Sequence, residues 1–151
     1  MKFNFKLILT AAVLFSLSFF FSSCSDDDDE TPAGAFETGV FVVIEGNFGS
    51  ANGSIAHIYP VTNEPSQAIF NTTNDGAILG DVVQSMSIHN DLAYIVVNNS
   101  NKVEVVNANT FESEYTISNV SLPRYFTTLD GKGYLTEWVS FTELGRVSVL
   151  N

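Results

Sequence analysis

This chain is short of cysteine, positive charge and helical periodicity. Its one cysteine, Cys24, rules out any disulfide within the chain. Six basic residues stand against 17 acidic ones, and only Lys102, Arg124, Lys132 and Arg146 lie beyond residue 23. Such a surface repels phosphate backbones and anionic headgroups, which excludes nucleic acid as a partner class. The two histidines, His57 and His89, show no ligand spacing, and a zinc site needs three or four converging donors. No metal or cofactor is therefore expected. There is no G-x-S-x-G elbow, and the glycines from Gly46 to Gly53 connect two strands rather than opening a phosphate-binding helix. No catalytic constellation emerges, so the chain reads as a non-enzyme.

What is present begins at the N-terminus. Lys2 and Lys6 precede an apolar run from Leu7 to Phe21, and Phe21-Ser22-Ser23 places small residues directly before Cys24. A positive start, an apolar middle and a small-residue site predict a secretory signal peptide over residues 1–23. The run is shorter than the roughly 20 residues a spanning helix needs. Cys24 at that junction is the expected lipidation site, with several acyl chains giving a stable membrane anchor. The run Asp26-Asp27-Asp28-Asp29-Glu30 repels itself and predicts an extended, solvated tether over residues 24–38.

From Gly39 to Asn151 the pattern is all-β. Short β-branched and aromatic runs such as Val40–Ile44, Ala93–Val97 and Lys102–Asn107 alternate with Gly, Asn and Asp clusters. Val40–Ile44 lacks polar alternation, which predicts burial on both of its faces. The deciding feature is an internal repeat. Gln84 to Tyr94 aligns without a gap on Arg124 to Tyr134 at a 40-residue offset, each a strand, a two-residue turn and a strand opening on an aromatic. Ser54–Ile58, Lys102–Val106 and Arg146–Leu150 recur in register as the following strand. Repeats of about 40–45 residues with four strands each are the mark of propeller blades. A generic β-sandwich also spaces its strands regularly but leaves the gapless offset unexplained.

Lettering blade strands from the axis outward, A is Gln84–Ile88 and Arg124–Thr128, and B is Val40–Ile44, Ala93–Val97 and Gly133–Glu137. C is Ser54–Tyr59, Lys102–Asn107 and Arg146–Leu150, and D is Ser66–Phe70 and Glu114–Ser118. The fold class is therefore an incomplete β-propeller of about two to three blades, against the four to eight that close a ring. The chain is expected to be an N-terminal fragment of a longer protein.

Tyr94-Ile95-Val96-Val97-Asn98-Asn99 running into Lys102-Val103-Glu104-Val105-Val106-Asn107 resembles the YVTN repeat of YncE-like β-propellers. Phe41 to Ser50, Asp81 to Met86 and Pro123 to Phe126 are similar to the surface propeller lipoproteins of Bacteroidota, and the acidic run after Cys24 resembles their surface-export signal. That superfamily includes BtuG-type cobalamin-binding lipoproteins, which deliver their ligand to an outer-membrane transporter. The resemblance implies a lipid-anchored, surface-exposed outer-membrane protein that binds a small molecule or an envelope partner. Its alternatives are a lactonase-like enzyme and a protein-interaction or adhesion platform. In such propellers the B–C and D–A loops surround the channel mouth. Here they carry Glu45, Asn47, Phe48, Gln84, Asn98, Arg124, Tyr125 and Trp138, with Asp81 and Asn99 beside them. Amides next to aromatics suit a large, partly apolar ligand. Arg124, the lone cation there, ranks first, with a structural role between blades as its alternative. His57, matched by Val105 and Val149 in the repeat, reads as a packed or strand-face histidine.

Overall fold

The computed structural model describes residues 34–151. The expected signal peptide, Cys24 and the acidic run lie outside the described residues. Three antiparallel sheets follow one another along the chain. The first holds β1 (Val40–Ile44), β2 (Ser54–Ile58) and β3 (Pro65–Ser66), followed by a short helix α1 (Ile69–Thr73). The second holds β4 (Val83–His89), β5 (Leu92–Val97), β6 (Lys102–Asn107) and β7 (Ser113–Ile117). The third holds β8 (Pro123–Leu129), β9 (Lys132–Glu137) and β10 (Arg146–Leu150). Each sheet is an up-and-down meander, compatible with partial propeller blades. Among the described residues no ring is closed.

The sheets meet face to face, and β5 and β6 show why. Ala93, Ile95, Val97 and Val106 point one way, into a cluster with Ile55, Phe41 and Val43 of the first sheet. Tyr94, Val96, Val103 and Val105 point the other way, against Phe126, Leu135 and Leu150 of the third. An unalternating apolar strand is the sequence form of a sheet buried on both faces. The Asp130-Gly131 hairpin turn has both residues at positive φ, 50° and 75°, the geometry whose twist matches its flanking strands.

Four expectations change. The outer strand of the first sheet is not Ser66–Phe70: pairing stops at Ser66, and Ile69 to Thr73 turn helically. An extended chain would send Ile69 and Phe70 to opposite faces, whereas the helical turn buries both. Nor is Val40–Ile44 buried on both faces, since Val40 is 58% and Val42 38% exposed. Among the described residues, another sheet packs on the first sheet only on its Phe41–Val43 side. The segment read as tether packs before its expected end. Phe36 donates its N–H to the Asn109 carbonyl at 3.0 Å and sets its ring against Phe41, His57 and Phe111. The outer strand of the second sheet runs one residue earlier than expected, Ser113–Ile117.

Candidate functional site

Antiparallel meanders put the β1–β2, β5–β6 and β9–β10 loops at one end of the stack, together with the segments entering β4 and β8. The second and third sheets build this end alike. Asn98 N–H donates to the Val82 carbonyl and Asn99 N–H to that of Asp81; forty residues on, Trp138 donates to Leu122 and Val139 to Ser121. Val82 and Leu122 both sit in the left-handed region, at φ 59° and 45°. For a β-branched valine that conformation is a true outlier, and such strain costs about 1–3 kcal/mol per residue. Directly after each comes a register shift, one between Val83 and Ser85 and one between Pro123 and Tyr125. The residues displaced from the ladder are Gln84 and Arg124. A bulge of this kind re-aims a side chain at a sheet end.

The two bulged side chains meet. Arg124 Nη1 donates to Gln84 Oε1 at 2.6 Å. The Arg124 guanidinium lies over the Trp138 ring, its carbon 5.1 Å from the ring centre, within cation–π range. Phe141 continues the row, edge-on to Trp138 at 4.6 Å between ring centres. Lys102 and Arg146 are spent on carboxylates, pairing with Glu104 and Glu137 at 2.8 Å each. Arg124 instead leans on a neutral amide and a ring, so its charge is not neutralised within this row.

A second group fixes the β1–β2 loop. The Asp81 carboxylate accepts the Gly49 N–H at 2.9 Å and Asn99 Nδ2 at 2.5 Å. The Asn99 bond, followed by the backbone N–H groups of Gly49, Ala51 and Ser50, holds the Asp81 pKa below the ordinary carboxylate range against the opposing effect of burial. Asn47 N–H donates to Asn52 Oδ1 at 2.7 Å, and the Glu45 carbonyl accepts Val83 N–H at 3.2 Å. Phe48 stands at the tip of this braced loop, 80% exposed. A cleft of about 170 Å³ opens beside the loop, lined in part by Ala51, Phe70 and Leu79. The larger hollow, about 460 Å³ between Tyr94, Tyr115 and Leu150, lies at the opposite end near the hairpin turns.

A family model described as "Domain of unknown function (DUF5074)" matches residues 38–146, well over half the chain. The chain belongs to the DUF5074 family. No curated protein matches it. The match takes in the whole braced loop and the Arg124 row.

Of the residues expected at the mouth of this DUF5074 chain, Gln84, Arg124 and Trp138 come together. Glu45, Asn47 and Phe48 share the braced loop. Asn98 is a tie between sheets: buried, it donates Nδ2 to the Pro123 carbonyl at 2.8 Å. Tyr125 leaves the group. Its neighbour Phe126 points into the core, so Tyr125 stands exposed on the far face of the third sheet. Phe141 was missed, because nothing but its place three residues after Trp138 marks it. His57 is buried between Phe36 and Phe41 with Nε2 unpartnered, and His89 is exposed at the end of β4. Among the described residues no three His, Cys, Asp or Glu side chains converge.

Proposed function

We propose that this DUF5074 chain is the ligand-binding part of a propeller-type lipoprotein, tethered through Cys24 to the outer surface of a bacterial outer membrane. It is a binding module rather than an enzyme. Arg124 meets an anionic or carbonyl-rich group, and the Trp138–Phe141 pair and Phe48 offer flat apolar surface to the rest of the ligand. One observation carries the reading: repeat-equivalent bulges turn Gln84 and Arg124 toward each other, leaving a guanidinium over the Trp138 ring with no carboxylate from the described residues on it. Strain held beside side chains at a loop end is the pattern of a ligand clamp. The sequence resemblance to cobalamin-capturing lipoproteins makes cobalamin the first ligand to try and an outer-membrane transporter the partner that receives it.

Calorimetric titration with cyanocobalamin tests this. Saturable binding that weakens about tenfold or more in Arg124→Ala, the worth of one hydrogen bond from the guanidinium to the ligand, supports the reading. Absence of heat at any ratio removes cobalamin, and full binding by Arg124→Ala removes the assigned site.

A further inference from the structure

The cleft beside the β1–β2 loop is built from the interior of the chain. Ala51 to Ser54 line one side, Phe70 and Asn71 another, and Ala77 to Leu79 the third. Its floor is Phe70 and Leu79, both part of the core between the first and second sheets. The cleft therefore lies over a filled core, apart from the Val40–Val42 side of the first sheet. Hydrogen bonds hold its walls: Gly53 N–H donates to the Gly80 carbonyl and Asn71 Nδ2 to the Ala77 carbonyl, each at 3.2 Å. Two lining residues, Ala51 and Ala68, sit in the left-handed region at φ 50° and 49°. Strain of that kind gathers at ligand clamps.

Size and charge then narrow the occupant. An apolar cavity of about 150 Å³ holds one benzene, whereas sites for whole small molecules run to about 300–1,000 Å³. At about 170 Å³ this cleft takes one phenyl ring. No charged residue lines it, and Ile78 at its edge, 67% exposed, extends the apolar surface. The surroundings carry one sign of charge. Asp75 is exposed in the turn from Asn71 to Ala77, and Glu45 is exposed where the β1–β2 loop begins. From Gly34 to Asn101 there is no lysine or arginine, and Lys102 beyond them is paired with Glu104.

We propose that the cleft is a socket for one phenylalanine side chain of a partner polypeptide whose flanking residues are lysines or arginines. The ring settles on the Phe70–Leu79 floor, and the flanking cations face Asp75 and Glu45. An acidic flank would meet like charge there, which suppresses wrong partners. The socket shares no residue with the Arg124 row, so failure of one idea leaves the other standing.

An NMR titration of the isotope-labelled full chain, in non-ionic detergent, with the peptide acetyl-Lys-Lys-Phe-Lys-Lys-amide tests it. Saturable shifts are expected at the Gly53, Leu79 and Gly80 amides, with a Kd of about a millimolar. Alanine in place of the peptide's phenylalanine should weaken binding about tenfold or more, because the ring is what leaves water. Glutamates in place of its lysines should weaken binding about tenfold at low salt, a gap that closes as salt screens the charges. Ala77→Phe places a ring in the cleft from an exposed position and should abolish the shifts while keeping the wild-type circular dichroism spectrum. If that variant fails to fold, the alanine peptide decides alone. Equal binding of the phenylalanine and alanine peptides leaves charge as the whole attraction and overturns the proposal. So does equal binding of the glutamate peptide, full binding by folded Ala77→Phe, or the absence of shifts at the three amides. Shifts there that grow with protein concentration and need no peptide would assign the cleft to a second copy of the chain instead.

Discussion

Replacing Glu137 by Gln should cost stability at neutral pH and almost none in acid. The side chain is fully buried and accepts four hydrogen bonds: from Ser121 N–H at 2.6 Å, Arg146 Nε at 2.8 Å and Nη2 at 3.0 Å, and the Ser148 hydroxyl. The Arg146 bonds act first, followed by Ser148 and Ser121, and together they outweigh burial to hold the Glu137 pKa at about 2, against an ordinary 4.5. A carboxyl whose pKa is depressed on folding adds stability that is present above its unfolded pKa. That stability is lost as pH falls from about 5 toward 2. Arg146 is half exposed, and solvent screening of the pair reduces the linked stability to about 1–2 kcal/mol. Gln keeps one acceptor oxygen, and its amide N–H groups must then face the Arg146 or Ser121 donors. A loss of about 2 kcal/mol at pH 7 follows for Glu137→Gln, roughly 1 M in urea midpoint at the slope of a small domain. Urea unfolding at pH 7, 4 and 2.5 should show the gap between wild type and variant shrinking with each step. A gap of the same size at all three would mean that packing, not the charge, is what Glu137 contributes.

Other outcomes follow from the same geometry. Leu135→Ala empties a fully buried position between the second and third sheets and should cost about 2–5 kcal/mol in chemical unfolding, more than any loop substitution. Asn98→Ala should cost about 1–3 kcal/mol, since it leaves the buried Pro123 carbonyl without its donor; a stability unchanged from wild type would mean another group takes over the bond. Asp81→Ala should release the β1–β2 loop, seen as faster hydrogen exchange at Gly49 and Ala51 with exchange in β5 unchanged. In the wild-type protein the same amides should lose protection, measured against unstructured amides at the same pH, as pH falls through the ordinary carboxylate range and below it, because the Asp81 pKa is depressed.

The strands could be read from residue order because their signal is local. The 40-residue offset places β4–β5 on β8–β9, and Lys102–Asn107 and Arg146–Leu150 fall where they were expected. The helical turn at Ile69 was hidden, since five residues carry no helical period, and only the need to bury both Ile69 and Phe70 on one side selects it. Exposure of Val40 and Val42 depends on what lies across the sheet face, which residue order does not encode. At the mouth, loop membership was legible but orientation was not. Successive strand residues face opposite ways, so Arg124 and Tyr125, adjacent and alike in prospect, end on opposite sides. The clamp of Asp81 on Gly49 spans 32 residues and no motif announces it.

Trp138, the single tryptophan of the chain, lies in the Arg124 row and would report directly on a ligand bound there. Its fluorescence, followed during titration with cyanocobalamin in wild type and in Gln84→Ala and Arg124→Ala, is the most direct measurement. A saturable change is expected in wild type, with a midpoint that rises in both variants, more in Arg124→Ala. Calorimetric binding that leaves Trp138 emission unchanged, or midpoints equal in all three proteins, would contradict it.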